Sequence, residues 1–132
     1  MRFDSAHKQL VVLARAQFGA FNRRQACNAG FTNSRLRRAV RNGELHQPLP
    51  NVFVMAVSGP SWKQSLMVAT LADGVASHRA AAALHGLDGF PPGIVEVSLP
   101  REVHSQLPTA IRHRWSYSDE KDVVLVDGIR TT

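Results

Sequence analysis

Phe31-Thr32-Asn33-Ser34-Arg35-Leu36-Arg37-Arg38-Ala39-Val40-Arg41-Asn42-Gly43 runs directly into Glu44-Leu45-His46-Gln47, Pro48-Leu49-Pro50-Asn51 and Val52-Phe53-Val54-Met55. The first part reads as a helix over residues 34–42, with Thr32 or Asn33 as its N-cap and Gly43 as its stop. At 100° per residue Leu36, Ala39 and Val40 fall on one side. Ser34, Arg38 and Arg41 then point the opposite way, with Arg37 on one flank and Arg35 and Asn42 on the other. The second part reads as strand, turn and strand, in which the prolines fix the turn and withhold two ladder donors.

Two further helices precede this stretch. Ala6, Leu10, Leu13, Ala14 and Phe18 form one apolar stripe, and Gly19 sits where a left-handed helix end is wanted. Asn22-Arg23-Arg24-Gln25 is a capping box that opens a short second helix ending at Gly30, with Phe21 placed to staple its start. Three helices and a two-stranded wing describe a winged helix-turn-helix over residues 1–57. Arginine binds guanine or phosphate in a fork and asparagine reads adenine, so the outer face of the third helix suits a major groove. The candidate contacts are Asn33, Ser34, Arg35, Arg37, Arg38, Arg41 and Asn42, with His46, Gln47 and Asn51 at the wing. Arg23 and Arg24, cations at the positive end of the second helix, are explained by an arriving phosphate.

Charge points the same way. Of the net +6 at pH 7, residues 1–43 carry +8 and residues 44–132 carry −2. A basic front third on a nearly neutral body implies a polyanionic partner for that third. The 132 residues are 44% hydrophobic and 20% charged, the composition of a folded domain rather than a disordered chain. One cysteine, Cys27, excludes an internal disulfide and a cysteine zinc cluster and suits a reducing cytoplasm. It reads as structural, although neighbouring arginines would also suit an activated thiol. The opening Met1-Arg2-Phe3-Asp4-Ser5 is not a secretory leader, and no stretch reads as a membrane helix.

Ser58-Gly59-Pro60 is the expected boundary to a second lobe, residues 58–132, read as a small α/β unit with a mostly antiparallel sheet, so the whole chain is expected to be α+β. Ser61-Trp62-Lys63-Gln64 is a second capping box before an apolar helix, and Ser77 is expected to cap a helix from His78 to His85. Val95, Val97 and Leu99 alternate with Glu96 and Ser98, and Ile111, His113, Trp115 and Tyr117 alternate with Arg112, Arg114 and Ser116. Trp115 and Tyr117 are assigned to a core with Trp62 and Leu66. Asp127-Gly128 is a hairpin-type turn, and the end at Thr132 reads as a strand cut short. Arg112 and Arg114, with Arg79 and Arg101, form a weaker basic face that would extend a DNA footprint against the lobe's negative balance.

No catalytic site emerges. His78 and His85 lie seven apart on one helix without a carboxylate at a ligand-like spacing, so neither a metal nor another cofactor is expected. Glu96-Val97-Ser98 lacks the lysine of a metal-dependent nuclease motif. Ser77-His78, adjacent in sequence, is no nucleophile–base pair.

The run Phe18-Gly19-Ala20-Phe21-Asn22-Arg23-Arg24-Gln25-Ala26, the Asn42-Gly43-Glu44-Leu45 junction and the Pro50-Asn51-Val52-Phe53 wing resemble the front of the AbiEi family. Ser77-His78-Arg79-Ala80-Ala81-Ala82-Ala83-Leu84-His85-Gly86-Leu87, Val95-Glu96-Val97 and Asp127-Gly128-Ile129 resemble its second stretch. These are antitoxin-type regulators of type IV toxin–antitoxin systems, and the likeness is to an actinobacterial branch. The resemblance implies a repressor that occupies an operator in its own promoter, with a nucleotidyltransferase-like toxin as a possible partner. In longer proteins of that branch the same front module precedes a Vsr-like endonuclease domain, so a DNA-targeting module without its catalytic domain is the alternative. An RNA-binding or protein-interaction domain is the third reading, because a basic face does not identify its polyanion.

Overall fold

A computed structural model describes residues 4–100, 110–115 and 122–132. The chain is mixed α and β, with five helices and two sheets among the described residues, and divides into two compact units, Met1–Pro60 and Ser61–Thr132.

In the first unit the order is α1 (Ser5–Ala16), β1 (Ala20–Asn22), α2 (Arg23–Ala29), α3 (Asn33–Arg41), β2 (Leu45–Leu49) and β3 (Val52–Met55). Each helix starts on a short polar side chain that meets an orphan amide. Asp4 Oδ1 accepts from His7 N at 2.9 Å, Asn22 and Gln25 exchange both bonds of a capping box, and Thr32 Oγ1 accepts from Arg35 N at 3.1 Å. Gly30 closes α2 at φ 108°, and a Cβ there would stand 3.1 Å from the Cβ of Ala6, so two reasons require glycine. Helix α1 stops earlier than its apolar stripe suggests: its C-cap is Gln17, and Phe18 and Gly19 both take positive φ.

The sheet has three strands, not the two expected. The short β1 pairs antiparallel with β3, so β3 is central in the order β1-β3-β2. The pair Phe21–Phe53 stands directly across this ladder, rings stacked at 5.7 Å. Both are buried, with Leu10, Ala14, Ala26, Phe31, Leu36, Ala39 and Leu45, in one core under the three helices. Pro48 falls in the irregularity between His46 and Leu49, where the ladder needs no donor from it.

The second unit comprises α4 (Trp62–Leu71), β4 (Val75–Ala76), α5 (His78–Leu84), β5 (Glu96–Pro100), β6 (Ile111–Trp115), β7 (Val124–Val126) and β8 (Ile129–Thr131). Its sheet, β6-β5-β4-β8-β7, is mixed: β5–β6 and β4–β8 are parallel, β4–β5 and β7–β8 antiparallel. Alternation shows that a segment is a strand but not which way its neighbour runs, which is why a mostly antiparallel sheet was the wrong expectation. Asp127 and Gly128 both take positive φ in the β7–β8 turn, as a two-residue hairpin requires. The strand read as cut short is an inner one: β8 lies between β4 and β7, with Ile129 and Thr131 fully buried. Leu66 is buried in α4, and Trp62 donates its Nε1–H to the Ile94 carbonyl at 2.8 Å. Tyr117 and Arg101, and the side chains of Arg114 and Trp115, lie outside the described residues. No helix among the described residues is long and apolar enough to cross a membrane.

Candidate nucleic-acid interface

The outer face of α3 follows from which residues its core contacts take. Leu36 and Ala39 are buried and Val40 half-buried, leaving Asn33, Ser34, Arg37, Arg38, Arg41 and Asn42 exposed. Ser34, Arg37, Arg38 and Arg41 stand at i, i+3, i+4 and i+7 and share one face. The guanidinium groups of Arg37, Arg38 and Arg41, and that of the exposed Arg24 in the first turn of α2, meet no carboxylate among the described residues.

Two arginines of the expected interface are already occupied. Arg23 is a hub: its Nε donates to Asn51 Oδ1 at 3.0 Å, its Nη1 to Asn33 Oδ1 at 2.9 Å and its Nη2 to the Pro50 carbonyl at 3.0 Å. Its guanidinium carbon stands 5.2 Å from the Phe53 ring centroid, and its backbone amide donates to the Asn51 carbonyl at 2.8 Å. One rigid fork thus fastens the start of α2, the start of α3 and the β2–β3 turn together. Gln47 tightens the same turn, donating from Nε2 to the Pro50 carbonyl at 2.7 Å. Asn33, Asn51 and Gln47, expected at bases or backbone, are therefore brought together as the internal frame, and His46 is exposed on β2 beside it.

Arg35 is the second. It grips Asp4 through Nη1–Oδ2 at 2.9 Å and Nη2–Oδ1 at 3.1 Å while lying 4.0 Å above the Phe31 ring. Arg35, together with the His7 amide, holds the Asp4 carboxyl below the usual carboxylate range. The flank of α3 assigned to Arg35 and Asn42 is thus partly neutralised. An open cleft of about 380 Å³ on that flank is lined by Asp4, His7, Phe31, Arg35, Arg38, Ala39, Asn42 and Glu44, and its two carboxylates suit it poorly to phosphate.

The second unit assembles a cluster that spacing alone did not reveal. Glu96, expected on the polar side of its strand, is only 3% exposed, and Ser98 beside it is buried too, so β5 is covered on both faces. Glu96 Oε1 accepts from the Arg79 amide at 3.0 Å and from Arg79 Nε at 3.0 Å. The carboxylate therefore does at the start of α5 what Ser77 was expected to do. The Ser77 hydroxyl makes no cap bond and lies 3.0 Å from His78 Nδ1. His113 Nε2 is 2.8 Å from Glu96 Oε2, and the rings of His78 and His113 stack at 3.9 Å. Arg79 above all, with help from His113 and against the cost of burial, holds the Glu96 carboxyl down to about 2. Of the two helix histidines, His78 thus does have a carboxylate nearby, Glu96 from β5, joined there by His113 from β6. His85, facing elsewhere, approaches the Thr132 carbonyl with Nε2 at 2.9 Å. The weaker basic face loses Arg79 to Glu96, and Cys27 is exposed rather than packed.

No family model matches the chain, and no curated protein matches it. Among solved structures it is similar to the Rv2827c protein of Mycobacterium tuberculosis, with 20% identity and a TM-score of 0.44 over 93% of this chain. The chain spans half the length of that protein.

Proposed function

We propose that Met1–Pro60 is a winged helix-turn-helix that binds double-stranded DNA, with α3 in the major groove and the β2–β3 turn against the neighbouring backbone. The observation that carries this reading is the state of the arginines on α3. Arg37, Arg38 and Arg41 project without a carboxylate partner among the described residues from a helix whose start is locked by Arg23. A preorganised helix spares the backbone an ordering cost on docking, no ion pair has to be broken first, and the guanidinium fork fits guanine or phosphate. Arg24 lies by the start of α2, where the helix dipole favours an anion. The mechanism is occupancy: a bound operator is closed to other proteins, and no cofactor takes part. The resemblance to AbiEi-type regulators makes the chain's own promoter the first site to examine, and a nucleotidyltransferase-like toxin the first protein partner.

Binding of the full chain to a duplex from its upstream region, followed by fluorescence anisotropy across a salt series, tests this reading. With about four phosphates neutralised, log K should fall against log salt with a slope of about −3.5. A flat response, or equal affinity for structured RNA of the same length, would overturn it.

A further inference from the structure

The cluster on α5, β5 and β6 lies in the second unit, outside the residues proposed to bind DNA, and its chemistry is that of a ligand set. His78, Glu96 and His113 each direct a ligand atom into one region, all three atoms lying within 4.8 Å of one another. We propose that these three residues bind one divalent transition-metal ion of the zinc class, leaving a fourth position open to water.

Four features of the cluster support this. Two imidazoles and one carboxylate form the donor set that zinc takes when three protein ligands leave a position free, and two imidazoles argue against magnesium or calcium. The carboxylate is already oriented from behind. Arg79 fixes Oε1 through both its amide and its Nε at 3.0 Å and reaches Oε2 through Nη2 only at 3.4 Å, so the shorter contact of Oε2, at 2.8 Å, is with His113, as outer-shell donors orient a metal-bound carboxylate. The His113–Glu96 contact of 2.8 Å is the kind of pairing an ion replaces: the Nε2 proton goes to solvent from a charged ring or shifts to Nδ1 in a neutral one, and the ion binds His113 Nε2 and Glu96 Oε2 instead. His78 holds its place at φ 52°, a backbone state uncommon outside glycine, at the exposed start of a seven-residue helix. Ligand atoms around a tetrahedral zinc stand about 3.3 Å apart, so the widest pair must close, and His78 is exposed and able to turn inward.

The test is competition between the chelator-stripped full chain and a chromogenic chelator for Zn²⁺, with Co²⁺ absorption as a second readout. One ion per chain is expected, and a hundredfold excess of Mg²⁺ should not displace it. His78→Ala and His113→Ala should each weaken binding at least about tenfold. His85→Ala, about two helix turns past His78, should leave it unchanged. Absence of binding, a stoichiometry above one, displacement by Mg²⁺, or variants of His78 and His113 that bind as tightly as the parent would overturn the proposal. So would an equal loss in His85→Ala, which would mean adventitious surface binding. Because His78 is exposed, its variant keeps the fold and stays informative if Glu96 or His113 variants unfold.

Discussion

Arg23 and Arg79 are both arginines in the first turn of a short helix, and they use their forks in opposite ways. Arg23 gives its hydrogen bonds to two side-chain amides and a peptide carbonyl, all uncharged. Its geometry is spent but its charge is not, so the first unit keeps the field of every arginine near α3 except Arg35. Arg79 gives its bonds to Glu96, a buried carboxylate, and its charge is answered in place. Saturating a donor and neutralising a charge are therefore separate acts. The first unit stays a polycation with a rigid frame, whereas the second becomes a closed local network.

The sharpest way to break this comparison is to remove uncompensated charge from α3. The double variant Arg38→Ala, Arg41→Ala should bind duplex at least about thirtyfold more weakly, since each good base or phosphate contact contributes about 1–3 kcal/mol. Its thermal melting should match the parent, because neither side chain meets a carboxylate among the described residues. Next in size is Glu96→Gln, which leaves Arg79 without a counter-charge. The half-exposed guanidinium is rehydrated, so the cost in urea unfolding should be about 1–3 kcal/mol rather than that of a wholly buried ion pair. The acid limb should change as well. In the metal-free parent the Glu96 carboxyl titrates at about 2 against an ordinary 4.5, so its contribution is complete above pH 4.5 and is lost as pH falls toward 2. Glu96→Gln should flatten that window and leave the neutral-to-alkaline limb alone.

Arg23→Lys separates geometry from charge more finely. The positive charge remains while the three-way fork is lost, so DNA affinity should fall by roughly tenfold with the salt slope nearly unchanged. A slope that shifts as much as the affinity would show that Arg23 neutralises phosphate directly. The smallest effect belongs to Arg24→Ala, which should reduce the magnitude of the salt slope by about 1 and weaken all duplexes alike.

Local signals were legible in the sequence and distant ones were not. Thr32 at the start of α3, the Asn22–Gln25 box, Gly30 and the Asp127–Gly128 turn obey rules that involve neighbours within a few positions. The faces of α3 likewise follow from periodicity, and the structure buries Leu36 and Ala39 as that periodicity requires. Strand β1 escapes such reading because Ala20-Phe21-Asn22 is too short for any period to register. The Arg23–Asn51 bond spans 28 positions, and Glu96 lies 17 from both Arg79 and His113. No spacing rule reaches across those intervals, so an expected phosphate ligand is a brace and an expected surface glutamate is the centre of a cluster.

Strand β8 carries a consequence for the order in which the molecule is built. Its parallel partner β4 waits 55 residues for it, Thr131 pairing with Ala76 and donating from Oγ1 to the Ala76 carbonyl at 3.1 Å. A loop of that size closes late and at an entropic cost, and a chain emerging from the ribosome offers its first segments long before. The first unit, complete by Pro60, can fold while the second still has an open seam between β4 and the missing β8–β7 hairpin. During synthesis that seam is an unpaired sheet edge, open to mispairing with another chain until the hairpin arrives.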